Sequence, residues 1–215
     1  MSAFPSREGT LGMDRTLDEL AREASTCTRC RLASGRTQVV FGVGDPRAEV
    51  MFVGEGPGYH EDKQGEPFVG AAGQLLTRML GEIGLSRGDV YITNTVLCRP
   101  PGNRDPLPDE LEACRHYLLE RLELIEPRVV VTLGNFATRV ILDRQVSISR
   151  VRGQRFQVDG RTVVPTFHPA AILHGGGEAS PQMQALRSDF QTIRAILDEP
   201  RPEPVLAGQE QLGLF

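Results

Sequence analysis

The sequence predicts an α/β fold with a central, mainly parallel, four-stranded sheet covered by helices on both faces. Three observations predict it. Four short runs rich in β-branched residues are spaced along the chain, patterns of helical period separate them, and the runs are apolar almost without interruption, as strands buried on both faces are. With 215 residues, 40% of them hydrophobic, the chain can bury the core of one such domain.

Taken in order, residues 1–15 read as a flexible arm. Thr16 and Glu19 have the spacing of a capping box and open a short helix towards Cys27. The strand runs cover residues 49–54, 90–96, 128–134 and 162–167, and helical patterns cover 72–83, 109–125, 135–142 and 182–197. Asp159-Gly160, between 154–158 and 161–165, has the composition of a tight hairpin turn, so one edge pair is expected to be antiparallel. Residues 16–199 therefore read as a single domain. Residues 200–215, PRPEPVLAGQEQLGLF after Glu199, read as a flexible Pro-rich tail.

Composition excludes some classes. No run of 18 apolar residues exists, so no membrane partner is expected. The first residues lack the apolar core of a signal peptide, which points to the cytoplasm. A net charge of −4 gives no bulk attraction for nucleic acid. Charge distribution matters as well as its sum, and arginines do cluster at Arg29, Arg31, Arg36 and Arg47, and again from Arg144 to Arg161. The cations are 23 Arg and a single Lys, Lys63.

The four cysteines are Cys27, Cys30, Cys98 and Cys114. A C-x2-C pair lets two sulfurs reach one metal centre, and four thiolates suit a closed site. Disulfides are disfavoured in a cytoplasmic chain. Ligand count alone leaves a four-thiolate zinc site, an iron–sulfur cluster and buried free thiols all open; the long gap between Cys30 and Cys98 is unlike a compact zinc ribbon. A metal there would pin the first helix to the loop after the second strand.

In open α/β sheets, ligands sit beyond the carboxyl ends of the strands. Three loops leave those ends with unusual chemistry. The first, GEGPGYHEDKQGEPFVG, mixes glycines with acids and lacks the Lys-Ser/Thr of a phosphate-binding loop. The second runs from Asn94 to Arg104, and the third starts at His168.

Four segments, GEGPGYHEDKQGEPFVGAAGQLL, ITNTVLCRPPGNRDPLPDELEAC, VVVTLGNFA and FHPAAIL, together with the cysteine frame, resemble the family 4 uracil-DNA glycosylases, the bacterial and archaeal iron–sulfur class. The resemblance runs from about Cys27 to Leu197. It implies a three-layer α/β/α sandwich, a [4Fe–4S] cluster on the four cysteines ahead of zinc, and excision of uracil from DNA to leave an abasic site. It also implies roles for particular residues. A flipped base needs a flat wall, an amide that reads its edge and a donor for the leaving group. Phe68 matches the stacking wall, Asn94 the uracil-reading amide and His168 the donor that stabilises the uracil anion. Glu55 is a candidate to orient water and face the oxocarbenium-like sugar. A related family carries its catalytic Asp where Gly56 stands and a thymine-excluding Tyr where Gly58 stands. Glu61 is therefore the candidate to exclude the thymine methyl, while Asp62 is assigned to fixing the loop. Gly56 and Gly58 let backbone approach base and DNA. Arg99 and Arg104 are expected on phosphates, and Ile172 and Leu173 are expected to fill the gap left by the flipped base.

The chain ends Gln211-Leu212-Gly213-Leu214-Phe215, which resembles the pentapeptide with which bacterial proteins dock on the sliding clamp. Gln211, Leu212, Leu214 and Phe215 would be its anchors. The expected partners are thus uracil-containing DNA and the clamp, and the protein is expected to act as a monomer. The rival from another class is a non-catalytic, metal-stabilised DNA-binding or polymerase-associated protein.

Overall fold

The structure, a computed structural model, describes residues 15–201. The clamp-like pentapeptide and most of the N-terminal arm lie outside the described residues. Arg15, assigned to that arm, donates to Glu120 of the domain at 2.7 Å.

Helix α1 (Leu17–Ser25) starts at Thr16, whose side chain accepts from the Glu19 N–H while the Glu19 carboxylate accepts from the Thr16 N–H. This is the reciprocal capping box that the spacing announces. The remaining helices are α2 (Tyr59–Gln64), α3 (Ala71–Glu82), α4 (Pro108–Ile125), α5 (Gly134–Leu142), α6 (Ile148–Val151), α7 (Pro169–His174) and α8 (Pro181–Asp198). The strands are β1 (Val43–Gly44), β2 (Val50–Gly54), β3 (Tyr91–Asn94), β4 (Val129–Leu133), β5 (Phe156–Val158) and β6 (Arg161–Thr166), in the order β1-β3-β2-β4-β6-β5.

The sheet therefore has six strands, not four. The four apolar runs form its parallel centre, β3-β2-β4-β6, and a short antiparallel strand closes each edge. One edge is the expected hairpin. Asp159 and Gly160 both take positive φ, 47° and 77°, as a tight turn between twisted strands requires. The other edge, β1, is two residues long and too short to leave a periodic signal.

Alternation along the strands sorts the core into two faces. Val50, Phe52, Val129, Val131 and Val164 pack against α3, α7 and α8. Met51, Val53, Val130 and Val163 pack against α4 and α5. A third cluster joins α1, the 3-10 turn Arg31–Ser34, the segment after β3 and the middle of α4 around the cysteines. Among the described residues no helix is long and apolar enough to cross a membrane.

Candidate active site

The parallel register sets the ends of β2 and β3 side by side, with Gly54 opposite Asn94, and brings β6 to its end beside β4. The segments leaving these ends line one cleft of about 300 Å³. It brings together Glu55, Gly56, Gly58 and Glu61 from the first loop with Phe68, and adds Asn94, Arg104 and His168 from the other two.

Asn94 is buried at the end of β3, and its Oδ1 has no hydrogen-bond partner among the described residues. A buried, unpaired amide oxygen is costly unless a ligand completes it. Phe68 is 6% exposed and holds φ at 55°, an unusual conformation for a bulky residue. Its strain is held by two contacts on its flank. Arg87 donates to the carbonyls of Phe68 (3.2 Å) and Pro67 (2.7 Å). Gly73 on α3 leaves no Cβ to collide with the Phe68 carbonyl. At Gly54, likewise, a Cβ would stand 2.6 Å from the Phe68 ring, so β2 must end in glycine for Phe68 and Asn94 to meet above it.

His168 caps α7, and its Nδ1 accepts from the Ala170 N–H at 3.2 Å. Its ring stacks on Phe68, with centroids 5.6 Å apart and planes at 30°. Burial holds its pKa down to about 4, so the imidazole is neutral at physiological pH. With Nδ1 accepting, the proton of a neutral ring sits on Nε2. Gly134, at φ 89°, lets the chain turn beside the His168 Cβ, which explains the glycine in VVVTLGNFA. Burial, and secondly the charge of Asp105, raise Glu55 to about 7. Glu61 Oε1 accepts from the N–H groups of Val69 (3.0 Å) and Gly70 (2.9 Å), closing the loop between α2 and α3. Asp62 accepts from the Thr37 N–H at 2.8 Å.

The rim separates the remaining candidates. Arg99 Nε donates to Asn103 Oδ1 at 2.7 Å. Arg104 is forked onto the buried Glu110 by bonds of 2.8 and 2.6 Å, and the same carboxylate accepts from the Leu107 N–H. Its guanidinium is thus committed to holding the loop, unlike the free phosphate contact expected of it. Ile172 is 1% exposed and belongs to the core against α3 and α8, so it cannot follow a flipped base into a gap; this corrects the expectation for Ile172. Leu173, one residue on, faces solvent at 42% exposure. Gly58 opens α2, where a Cβ would stand 2.8 Å from Glu61 Oε2. At Gly56 a Cβ would meet Val96 at 2.8 Å.

Cys27, Cys30, Cys98 and Cys114 line one small, largely apolar cavity of about 10 Å³. No three His, Cys, Asp or Glu side chains among the described residues are arranged to hold a metal ion. The donor set itself, four sulfurs on one largely apolar lining, fits a thiolate-bound metal group. Arg36 donates to the Cys27 carbonyl (2.6 Å) and to Cys98 Sγ (3.5 Å), the kind of outer contact that orients metal thiolates. Arg121 on α4 is fully buried between cavity and cleft. It donates to the carbonyls of Tyr117 (2.9 Å), Asn94 (3.4 Å) and Phe41 and to Thr93 Oγ1, and no carboxylate among the described residues pairs with it. Burial pulls its pKa down to about 10, still well above neutrality.

Sequence reasoning missed Arg87, Arg121, Asn103 and Asp105. Asn103 and Asp105 sit inside the quoted GNRDP segment. Arg87 and Arg121 carry no local signal, because their partners lie far away in the chain. Gly73 had one: glycine inside a helical pattern is costly and marks close approach.

An α/β sheet whose strand ends hold a stacked aromatic, an unpaired amide and a neutral imidazole in one cleft defines a base-recognising site. The family model of the Uracil DNA glycosylase superfamily matches residues 41–191, and the chain belongs to that superfamily. Its type follows from its relatives. It is 46% identical to the Type-4 uracil-DNA glycosylase of Archaeoglobus fulgidus, over 87% of this chain and 96% of the relative. It is 48% identical to that of Thermotoga maritima over 74% and 84%, and 44% identical to that of Sulfurisphaera tokodaii over 86% and 87%.

Proposed function

We infer that the chain is a uracil-DNA glycosylase of DNA repair, a hydrolase of N-glycosyl bonds. The observation that carries the mechanism is the buried, unpartnered Asn94 Oδ1 in a cleft walled by Phe68 and His168. A flipped uracil stacks on Phe68. The Asn94 amide accepts from uracil N3–H and donates to O4; cytosine presents the opposite pattern at both positions. As the bond from C1′ to N1 breaks, its electron pair passes to the ring. The neutral His168 donates from Nε2–H towards O2, where charge collects. Glu55, as carboxylate, faces the cationic sugar and orients the water that adds to C1′, leaving free uracil and an abasic site. Leu173 and Arg99 contact the DNA at the rim. The chain's one lysine, Lys63, is bonded to Thr37 at 3.2 Å and is not part of the cleft lining, so no amine is offered for strand cleavage.

The test is incubation with single- and double-stranded oligonucleotides carrying one uracil, followed by alkali. Scission at the uracil position is expected. Intact DNA after treatment with metal-loaded protein would leave the non-catalytic DNA-binding reading in its place.

The four cysteines are proposed to hold a [4Fe–4S] cluster, which would cross-link the turn after α1, the segment after β3 and α4. The long gap between Cys30 and Cys98, unlike a compact zinc ribbon, and the likeness to the Type-4 uracil-DNA glycosylases support a cluster over a single zinc ion. Iron and sulfide analysis, with a brown colour that bleaches on reduction, is the expected result; one zinc per chain would overturn it. The tail Gln211–Phe215 is proposed to dock on the sliding clamp through its Leu and Phe anchors. Deleting 211–215 is expected to abolish clamp capture in a pulldown and to spare cleavage of short oligonucleotides.

A further inference from the structure

Only three large apolar side chains are markedly exposed among the described residues: Tyr59 at 51%, Leu173 at 42% and Leu107 at 37%. Tyr59 and Leu173 stand on the first and third segments that leave the strand ends, and Leu107 follows the second at the start of α4. Tyr59 is the first residue of α2, directly after Gly58 of the cleft lining. Of the three it alone is aromatic, and polar groups frame it. Here the frame is cationic. The Arg99 guanidinium lies 5.1 Å from the ring centroid, the Lys63 ammonium 5.9 Å, and the His60 ring meets it edge-on at 5.4 Å. Arg99 is itself tied to Asn103 of the cleft lining. These three groups flank the ring, and Tyr59 as a residue is 51% exposed. An aromatic face beside two cations is the arrangement with which proteins bind unpaired bases on a charged strand. Tyr59 adjoins the cleft lining through Gly58 and Arg99 through Asn103, and the occupant we assign is a neighbour of the flipped base on the same strand.

We propose that Tyr59 is a stacking platform for an unpaired nucleobase close to the flipped uracil, with Arg99 and Lys63 flanking the ring. This rests on the glycosylase reading and adds a second base contact to it. It makes a single strand, or a duplex opened around the uracil, the form best held at this edge of the cleft.

The experiment measures binding of the metal-loaded full chain, by fluorescence anisotropy, to a labelled single strand carrying the uncleavable 2′-fluoro-2′-deoxyuridine. Tyr59→Ala is expected to weaken binding about tenfold and Tyr59→Phe to leave it within twofold, because stacking needs the ring and not the hydroxyl. Thermal melting of both variants checks the fold. An abasic residue is then walked through the three nucleotides on each side of the uracil analogue. At one of these positions the difference between wild type and Tyr59→Ala is expected to vanish, as a protein–base cycle requires. Equal binding by Tyr59→Ala, or a penalty that persists at every abasic position, overturns the proposal. Cleavage of ordinary uracil by the wild type is scored separately. Its absence would sink the glycosylase reading, whereas an unchanged Tyr59→Ala affinity would sink only the platform.

Discussion

Glu55 and His168 share a cleft but are driven to opposite charge logic by the same cause. Burial disfavours the charged form of each, raising the carboxylate to about 7 and lowering the imidazole to about 4. His168 is in its working neutral form throughout the neutral range. Glu55 works as a carboxylate, so kcat/KM is expected to rise with pH through about 7. Asp105 adds to the shift as a like charge. Asp105→Asn should therefore move this limb to lower pH, and a limb that stays put would remove Glu55 from the mechanism. Removing the His168 donor is expected to cost about 10²–10³ in kcat, as loss of one oxyanion donor does. His168→Ala assayed in single turnover checks it. Asn94 and His168 were readable from the sequence because each sits at a strand end in a chemically marked segment. The charge states were not, since they depend on burial by residues remote in the chain.

At the scale of elements, the turn between α2 and α3 is where backbone, glycine and arginine act together. Phe68 can hold its left-handed conformation because Arg87 receives its carbonyl and that of Pro67 while Gly73 makes room on α3. Arg87→Met leaves both carbonyls short of a donor, at a cost of about 1–3 kcal/mol in stability. KM is expected to rise more than kcat falls, because the wall and not the chemistry is disturbed; equal losses in both would contradict this. The helices were largely legible. The expected pattern over 72–83 became α3 at Ala71–Glu82, and 109–125 became α4 at Pro108–Ile125. The short helices α2 and α7 were not, because six residues span too few turns to show an apolar period. That omission misplaced Ile172: on α7 it turns into the core, whereas a loop would have left it free.

At the scale of the whole molecule, Arg121 joins two sites that the sequence treats separately. It rises from the helix that carries Cys114, and its guanidinium reaches the carbonyl of Asn94 and the hydroxyl of Thr93. A cation so placed has its charge offset by carbonyl and hydroxyl dipoles. Arg121→Met is expected to lower stability by about 3 kcal/mol, or roughly 6–12 °C in Tm, through the orphaned carbonyls. Thermal melting of the metal-loaded protein checks it, and a change below about 2 °C would show the network to be dispensable. By itself the sequence determined the parallel centre of the sheet, the grouping of four cysteines and the three loops that carry the cleft. Each of these is written in local periodicity, ligand type and spacing. Only the tertiary structure decided that the sheet has a second antiparallel edge, at β1, and that Arg104 serves Glu110. The same holds for Ile172, which belongs to the core, and for Arg87 and Arg121, which hold the recognition residues in place. These depend on partners 6 to 80 residues apart whose meeting no local pattern encodes.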